Sequence, residues 1–333
     1  MYRTDSAADM SLAITAKGVT KTFTQWQRDN TGRGMIRNLI KPEKRVIKAL
    51  DNVSFTVTNG EFVAYAGPNG AGKSTTMKLL AGMLLPTSGN VGVLSLSPAR
   101  DRRTLMHRLG VLFGNRTELW WDHPIIQSFE WKKVVWNIDD ITYRKNIQMV
   151  TELLDLAPLL KTFARELSLG QRMRADLAMM LLHSPSLIIL DEPTLGLDVV
   201  AKRQMIDFLK RINRENGVTI IVTSHDMDDL EEMADRILMI SSGKIVYDGR
   251  FDGLREIAGD LTRIGVASSA APDIPGGTHL SSEGGVHAYE VDLTQVSIRT
   301  VMRILSEMDG VTDVEIRKAP IEQVIARLYQ KWR

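Results

Sequence analysis

The sequence contains no cysteine, which rules out disulfides, thiolate metal sites and a thiol nucleophile and suits a reducing compartment. It also lacks any apolar run near the roughly 18 residues a membrane-spanning helix needs. The longest candidate, around Leu177 to Leu182, stops at His183. Met1 to Met10 carries Asp5 and Asp9 and has no apolar signal core, so neither export nor embedding by the chain's own sequence is expected. An excess of one charge is missing too. Forty-two Lys and Arg against 40 Asp and Glu leave a net +2, so no general affinity for nucleic acid or anionic lipid follows. With 44% hydrophobic and 25% charged residues in 333, the rest is ordinary for a globular chain holding one large domain with something attached.

What is present is organised around Gly67-Pro68-Asn69-Gly70-Ala71-Gly72-Lys73-Ser74-Thr75, which fits G-x-x-x-x-G-K-[ST]. The strand-like Glu61 to Ala66 precedes it and the helical pattern Thr76 to Met83 follows. Glycines let backbone N–H groups curl around a polyphosphate while the helix start faces the same anion. In such a loop Lys73 reaches the β and γ phosphates and Ser74 offers a hydroxyl to Mg²⁺.

In chain order, Leu12 to Phe23 reads as an opening strand. The basic stretch Thr24 to Arg45 has Met35, Ile36, Leu39 and Ile40 at helical spacing and reads either as a lipid-facing amphipath or as a solvated loop insertion. Ala49 to Val57, Asn90 to Leu94 and Arg108 to Phe113 are further strands, and Gly114 to Trp121 is a loop. Pro124 to about Met180 is mostly helical. Ser186 to Leu190 and Val218 to Thr223 read as buried parallel strands, Lys202 to Arg214 and Met227 to Ala234 as helices, and Ile237 to Tyr247 as a closing hairpin. Strands alternating with helices around a P-loop imply a parallel α/β core. Ala267 to Val286, rich in Ser, Ala, Gly and Pro, reads as a linker, and the rest as a small β-α-β-α unit with a helix opened by Pro320.

Asp191, at the tip of its apolar strand, is placed to hold Mg²⁺, and Glu192 beside it is a candidate base for an attacking water. Leu167-Ser168-Leu169-Gly170-Gln171 opens a helix, and on helix grounds alone Ser168 is an N-cap. LSLGQ also closely resembles the signature peptide of ATP-binding cassette (ABC) ATPases, standing shortly before the Asp191 strand as in that family. Leu195-Gly196-Leu197-Asp198 is similar to the family's D-loop, and His225 in Thr223-Ser224-His225-Asp226 to its switch histidine. The resemblance covers about residues 12 to 250.

It implies ATP and Mg²⁺ as cofactors, with Gly67 to Thr75 cradling phosphates and Ser74 and Asp191 serving the metal. Glu192 becomes the base, His225 the γ-phosphate sensor, and Asp198 an inter-subunit contact. Ser168, Gly170 and Gln171 would face the ATP of another subunit. Phe23 is the candidate for stacking adenine, the alternative being a core phenylalanine, with Trp26 in reserve. Where the family has glutamine after the strand ending at Phe113, this chain has Asn115, shorter by one methylene. The implied fold class is α/β: a P-loop NTPase core with a parallel sheet, an antiparallel β subdomain and an inserted helical subdomain, plus the small C-terminal unit. The domain division expected is 1–255, with helices at about 115–182, and 256–333.

The implied function is the ATPase subunit of an ABC transporter, peripheral on the cytoplasmic face of the membrane, with an integral-membrane permease and a second ATPase subunit as partners. Trp120-Trp121-Asp122 and its surroundings resemble drug- and lipid-type exporters with separate permeases. Importers with similar tails are the alternative, as are soluble family members acting on ribosomes or DNA. A single motif set without long heptads argues against the latter, and no nucleic-acid partner is expected.

Overall fold

A computed structural model describes residues 12–27, 43–114, 117–259 and 261–331. Two compact units emerge, Met1–His225 with Glu232–Asp248, and Asp226–Glu231 with Gly249–Arg333.

The first unit carries two sheets. Strands β1 (Leu12–Gln27) and β2 (Glu43–Thr58) pair antiparallel, and β4 (Ser88–Val93) pairs antiparallel with β1 on its other side. The basic stretch expected as an amphipath or a loop therefore begins and ends as ladder, since Thr24 to Gln27 pair with Val46 to Glu43. Its middle, with Met35, Ile36, Leu39 and Ile40, lies outside the described residues. The second sheet has the order β5-β6-β7-β3-β8-β9, from β5 (Leu109–Phe113), β6 (Leu187–Asp191), β7 (Thr219–Thr223), β3 (Phe62–Ala66), β8 (Arg236–Ser241) and β9 (Lys244–Arg250). The neighbouring pairs from β5 to β8 run parallel. Every residue of β3, β6 and β7 is buried, which is why these strands read as apolar runs rather than alternations.

Helix α1 (Lys73–Leu80) follows β3, and α2 (Arg102–Met106) precedes β5. Between β5 and β6 come α3 (Ile125–Val135), α4 (Asp140–Leu153) and α5 (Leu169–Leu181). Only 3-10 turns, Ala157–Leu159 and Ala164–Glu166, interrupt the chain between α4 and α5, so the expected helical stretch is broken there. Asp155 in the left-handed region ends α4's run, and Pro158 cannot continue it. Helix α6 (Val199–Asn216) completes the α/β alternation, and most of α7 (Met227–Met233) falls in the second unit.

In the second unit α8 (Phe251–Ala258) leads into an antiparallel sheet of order β11-β12-β10-β13. Its strands are β10 (Leu261–Ala267), β11 (Gly277–Glu283), β12 (Val286–Asp292) and β13 (Asp313–Lys318), with α9 (Ile298–Ser306) and a final α10 (Ile321–Lys331). The expected linker thus contains β11, and the unit has more strands than its β-α-β-α pattern announced. β11 is an edge strand with no buried residue, so it has no apolar alternation to read. Ile264, Val266, Tyr289, Val291, Val301 and Leu305 form this unit's core. The expected boundary at 255/256 falls inside α8.

Candidate functional site

Parallel pairing brings the C-terminal ends of β3, β5, β6 and β7 to one edge of the sheet, with Phe113, Asp191 and Thr223 in adjacent register. Ligands of open α/β sheets bind at such an edge. The glycine-rich loop leaves β3 there. Gly72, at φ 115°, caps α1, and a Cβ on it would lie 2.6 Å from the Ala49 carbonyl, so no other residue fits without displacing β2. Tyr65, fully buried, shares a hydrogen bond with Thr76 Oγ1 at 3.0 Å, and Thr76 in turn donates to the Gly72 carbonyl. The loop's exit is thereby pinned to the strand that delivers it. Lys73 is buried and its ammonium donates to the Gly67 carbonyl at 2.7 Å. Burial lowers its pKa, and the carboxylates of Glu192 and Asp191 oppose that lowering.

Asp191 and Glu192 do different things although adjacent. Asp191 Oδ1 accepts from Thr223 Oγ1 at 2.7 Å. Glu192 sits at φ 60°, the left-handed region that a glutamate rarely adopts. Its N–H donates to both the carbonyl and the Oγ1 of Thr223, each at 3.1 Å, while its carboxylate accepts from the His225 N–H at 3.1 Å and lies 3.2 Å from His225 Nε2. These bonds hold the strained turn, which aims Glu192 out of the sheet edge instead of into the core. Burial raises the Glu192 pKa, against the pull of His225 and Lys73. A carboxylate made more basic and held by an imidazole is suited to taking a proton from water. Sequence reasoning gave Thr223 no role. The available signal was a hydroxyl that follows the aliphatic run Ile220 to Val222, two residues before His225.

Ser74 and Asp191 line one cleft of about 640 Å³ with Gly114, Thr117 and Asp176. A hydroxyl and a carboxylate facing the same space fit Mg²⁺, which takes hard oxygen donors and keeps most of its shell for water and phosphate. Ser168 caps α5 and forms a reciprocal capping box with Gln171, as the helix reading expected. Ser168, Gly170 and Gln171 line a separate open groove of about 630 Å³ with Asp198, which caps α6 through the Ala201 N–H. The lining of this groove holds no residue of the loop from Gly67 to Thr75, whose Ser74 faces the other cleft. Phe23 is 36% exposed, with the Lys21 ammonium 5.2 Å from its ring centre, so it is a surface ring and not a core one. Asn115 and the Trp26 side chain lie outside the described residues.

A family model described as ABC transporter matches residues 50–195. The chain carries the ATPase domain of an ABC transporter. It is 35% identical over 209 residues to the probable multidrug ABC transporter ATP-binding protein YbhF of Escherichia coli, covering 62% of this chain and 35% of that one. It is 28% identical over 304 residues to the methionine import ATP-binding protein MetN of Corynebacterium glutamicum, covering 89% of this chain and 79% of that one. The dimeric ATP-binding cassette MJ0796, bound to ADP and Pi, superposes with a TM-score of 0.59 at 25% identity, covering 71% of this chain and 98% of its own. The α/β P-loop cassette fold follows, and the chain is an ATP-binding subunit and Mg²⁺-dependent ATP hydrolase.

One buried acid in this cassette belongs to neither the loop nor the strand tips. Asp176 of α5 accepts from the Thr117 hydroxyl at 2.7 Å and the Glu118 N–H at 3.2 Å, tying α5 to the segment after β5. Burial pushes its pKa up from 3.8 to about 6. The stability its protonated form contributes is full below the unfolded value and is lost as pH rises through about 6. Asp176→Asn keeps an oxygen for both donors and removes the buried charge. In urea melts at pH 8 it should be more stable than wild type by up to about 3 kcal/mol, a gap that closes toward pH 4. An unchanged melt across that range would reject the buried-charge account.

Proposed function

We propose that this cassette powers export through a separate membrane permease, acting as one half of a head-to-tail dimer on the cytoplasmic face of the membrane. The observation that carries the hydrolytic part is the Glu192 carboxylate, raised by burial and gripped by His225 at the strand edge where the Lys73 loop also opens. In this reading the loop amides and Lys73 bind the β and γ phosphates, and Glu192 takes the proton of the attacking water. His225 orients Glu192 and senses the γ phosphate. Ser74 and Asp191 hold Mg²⁺, which when bound offsets the charge that develops on the phosphates. Phe23 stacks the base, and Ser168, Gly170, Gln171 and Asp198 serve the partner's ATP. Asn115 stands where the family's glutamine does.

A permease contact is supported by an apolar surface on the helical part. Trp120 and Trp121 are 39% and 48% exposed, and Trp120 packs at a tilt of 51° against Trp131, whose ring centre is 5.6 Å away. Val134, Val135 and Ile141 are exposed on the neighbouring helices. Complete burial of the tryptophan pair, the alternative to a partner contact, does not occur. Apolar area of this kind is costly unless covered. Among the described residues no helix is long and apolar enough to cross a membrane; in this reading the separate permease supplies the span. Replacing both tryptophans with alanine should lower transport at least tenfold in reconstituted vesicles while basal ATPase stays within about twofold. Loss of the folded state instead would assign the pair a packing role.

Export rests on the Trp120-Trp121-Asp122 neighbourhood and on likeness to YbhF, a probable multidrug transporter subunit. Import is the second reading, favoured by the wide coverage of MetN, a methionine importer subunit. ATP-driven accumulation of substrate in inside-out membrane vesicles decides for export, and accumulation only in right-side-out vesicles decides for import.

A further inference from the structure

The turn that follows His225 belongs to the second unit: Asp226–Glu231 cluster with Gly249–Arg333. A buried arginine of α8 holds it there. Arg255 is 7% exposed, and its Nη2 donates to both oxygens of Glu231, at 2.7 and 2.9 Å. Its Nη1 donates to the carbonyl of Ala319, a fully buried residue just before α10. One guanidinium therefore fastens the chain after His225 to two elements of the second unit. A fork-shaped, charge-assisted pair of this kind fixes geometry as well as energy, and truncating either partner leaves a buried charge uncompensated. The position it fixes matters, because the backbone N–H of His225 itself donates to Glu192. Any movement of the chain just past residue 225 changes that bond.

We propose that Arg255 is a positioning residue for hydrolysis, and that the Arg255–Glu231–Ala319 anchor is the route by which the C-terminal unit sets the turnover rate. The proposal rests on the reading of Glu192 and His225 as the hydrolytic pair. Arg255 donates to Glu231 and to Ala319, not to Glu192 or His225. It acts through the main chain at His225. Strain on α8 or the start of α10, from any event in the second unit, then reaches the carboxylate of Glu192 without passing through the phosphate loop.

The test uses the full chain in steady-state and single-turnover ATPase assays. Arg255→Met should lower kcat about threefold to tenfold, since small misplacements of a catalytic group are costly, while KM for ATP stays within about twofold. In a Glu192→Gln background the same change should add no further loss, because the carboxylate it positions is already gone. Glu231→Arg combined with Arg255→Glu should recover part of the lost kcat. Should Arg255→Met melt the second unit, Arg255→Lys, which keeps the charge but not the fork, takes its place under the same Glu192 criterion. Unchanged kcat in a folded variant, or equal losses with and without the Glu192 carboxylate, overturns the proposal. Full activity of Glu192→Gln alone would instead remove the hydrolytic reading on which it stands.

Discussion

Purified Glu192→Gln protein should bind ATP as tightly as wild type and hydrolyse it about 10²- to 10⁴-fold more slowly, the range for loss of a general base. That corresponds to about 2.7–5.5 kcal/mol in the activation barrier. Glutamine is the informative choice because an amide oxygen can still accept from the His225 N–H, and the main-chain bonds from residue 192 to Thr223 do not involve the side chain. The strained turn survives, and only basicity is lost. Lys73→Ala should fail at an earlier stage, weakening ATP binding itself, since the ammonium at the loop is one of few charges available to the phosphates. Equilibrium binding of a fluorescent ATP analogue separates the two phenotypes. The pH profile gives an independent check. Because burial raises the Glu192 pKa, the acid limb of wild-type kcat should lie above the ordinary glutamate value of 4.5, and the residual activity of Glu192→Gln should lack that limb. Wild-type turnover by Glu192→Gln would falsify the assignment of the base.

The parts of this site that sequence could show are those built from contiguous residues. The phosphate loop is one, since Gly72, Lys73 and Ser74 do their work within a single strand-to-helix turn. The capping box of Ser168 and Gln171 is another, written in residues three apart. What joins distant segments stayed out of sight. Thr223 bonds to Asp191 across a parallel register 32 residues apart, and nothing in either segment names the other. Asp176 reads as one polar residue on a helix, yet Thr117 and Glu118 make it the tie between α5 and the end of β5. The fold shows the same division. β6 and β7 announce themselves because burial on both faces selects the unbroken aliphatic runs Leu187 to Leu190 and Ile220 to Val222. β11 has no buried side chain, and its Gly, Ser and Thr content follows from lying at an edge, so composition there points to a linker. The reach of β1 and β2 past Phe23 and before Ala49 was hidden for a related reason, since Thr24, Gln25 and Arg45 pair through backbone while their side chains stay in solvent.

Mixing Lys73→Ala chains with Gly170→Asp chains, each inactive alone, should restore ATP binding at one site per mixed dimer in a membrane-reconstituted complex that admits either chain at both positions. The expectation follows from two anion-seeking helix starts in one chain. α1 opens at Gly72 and Lys73, and α5 opens at Ser168 and Leu169 with its groove shared by Asp198. Ser74 at the start of α1 and the Ser168 groove line different cavities, which argues against one nucleotide engaging both within the chain. A two-fold head-to-tail pair satisfies both, each chain giving its Ser168 groove to the other's ATP, and such a contact closes on itself. Exposed Leu195, Val199 and Val200 beside Asp198 supply apolar area for the contact. Gly170 is a sound place to break it. A Cβ there would come 3.2 Å from the Ala201 Cβ, a gap that small shifts at the start of α6 can absorb, while an added carboxylate repels the incoming γ phosphate. Lys73→Ala spoils the loop and leaves the groove, and Gly170→Asp does the reverse. A mixed dimer therefore keeps one site with wild-type loop and groove. Because ATP then binds the pair better than the single chain, ATP should also drive association, and hydrolysis should release it. Light scattering of Glu192→Gln protein with and without ATP reads this directly, since slow turnover holds the sandwich closed. No recovery in any mixture, together with ATP-independent mass, would mean that each chain completes its own site.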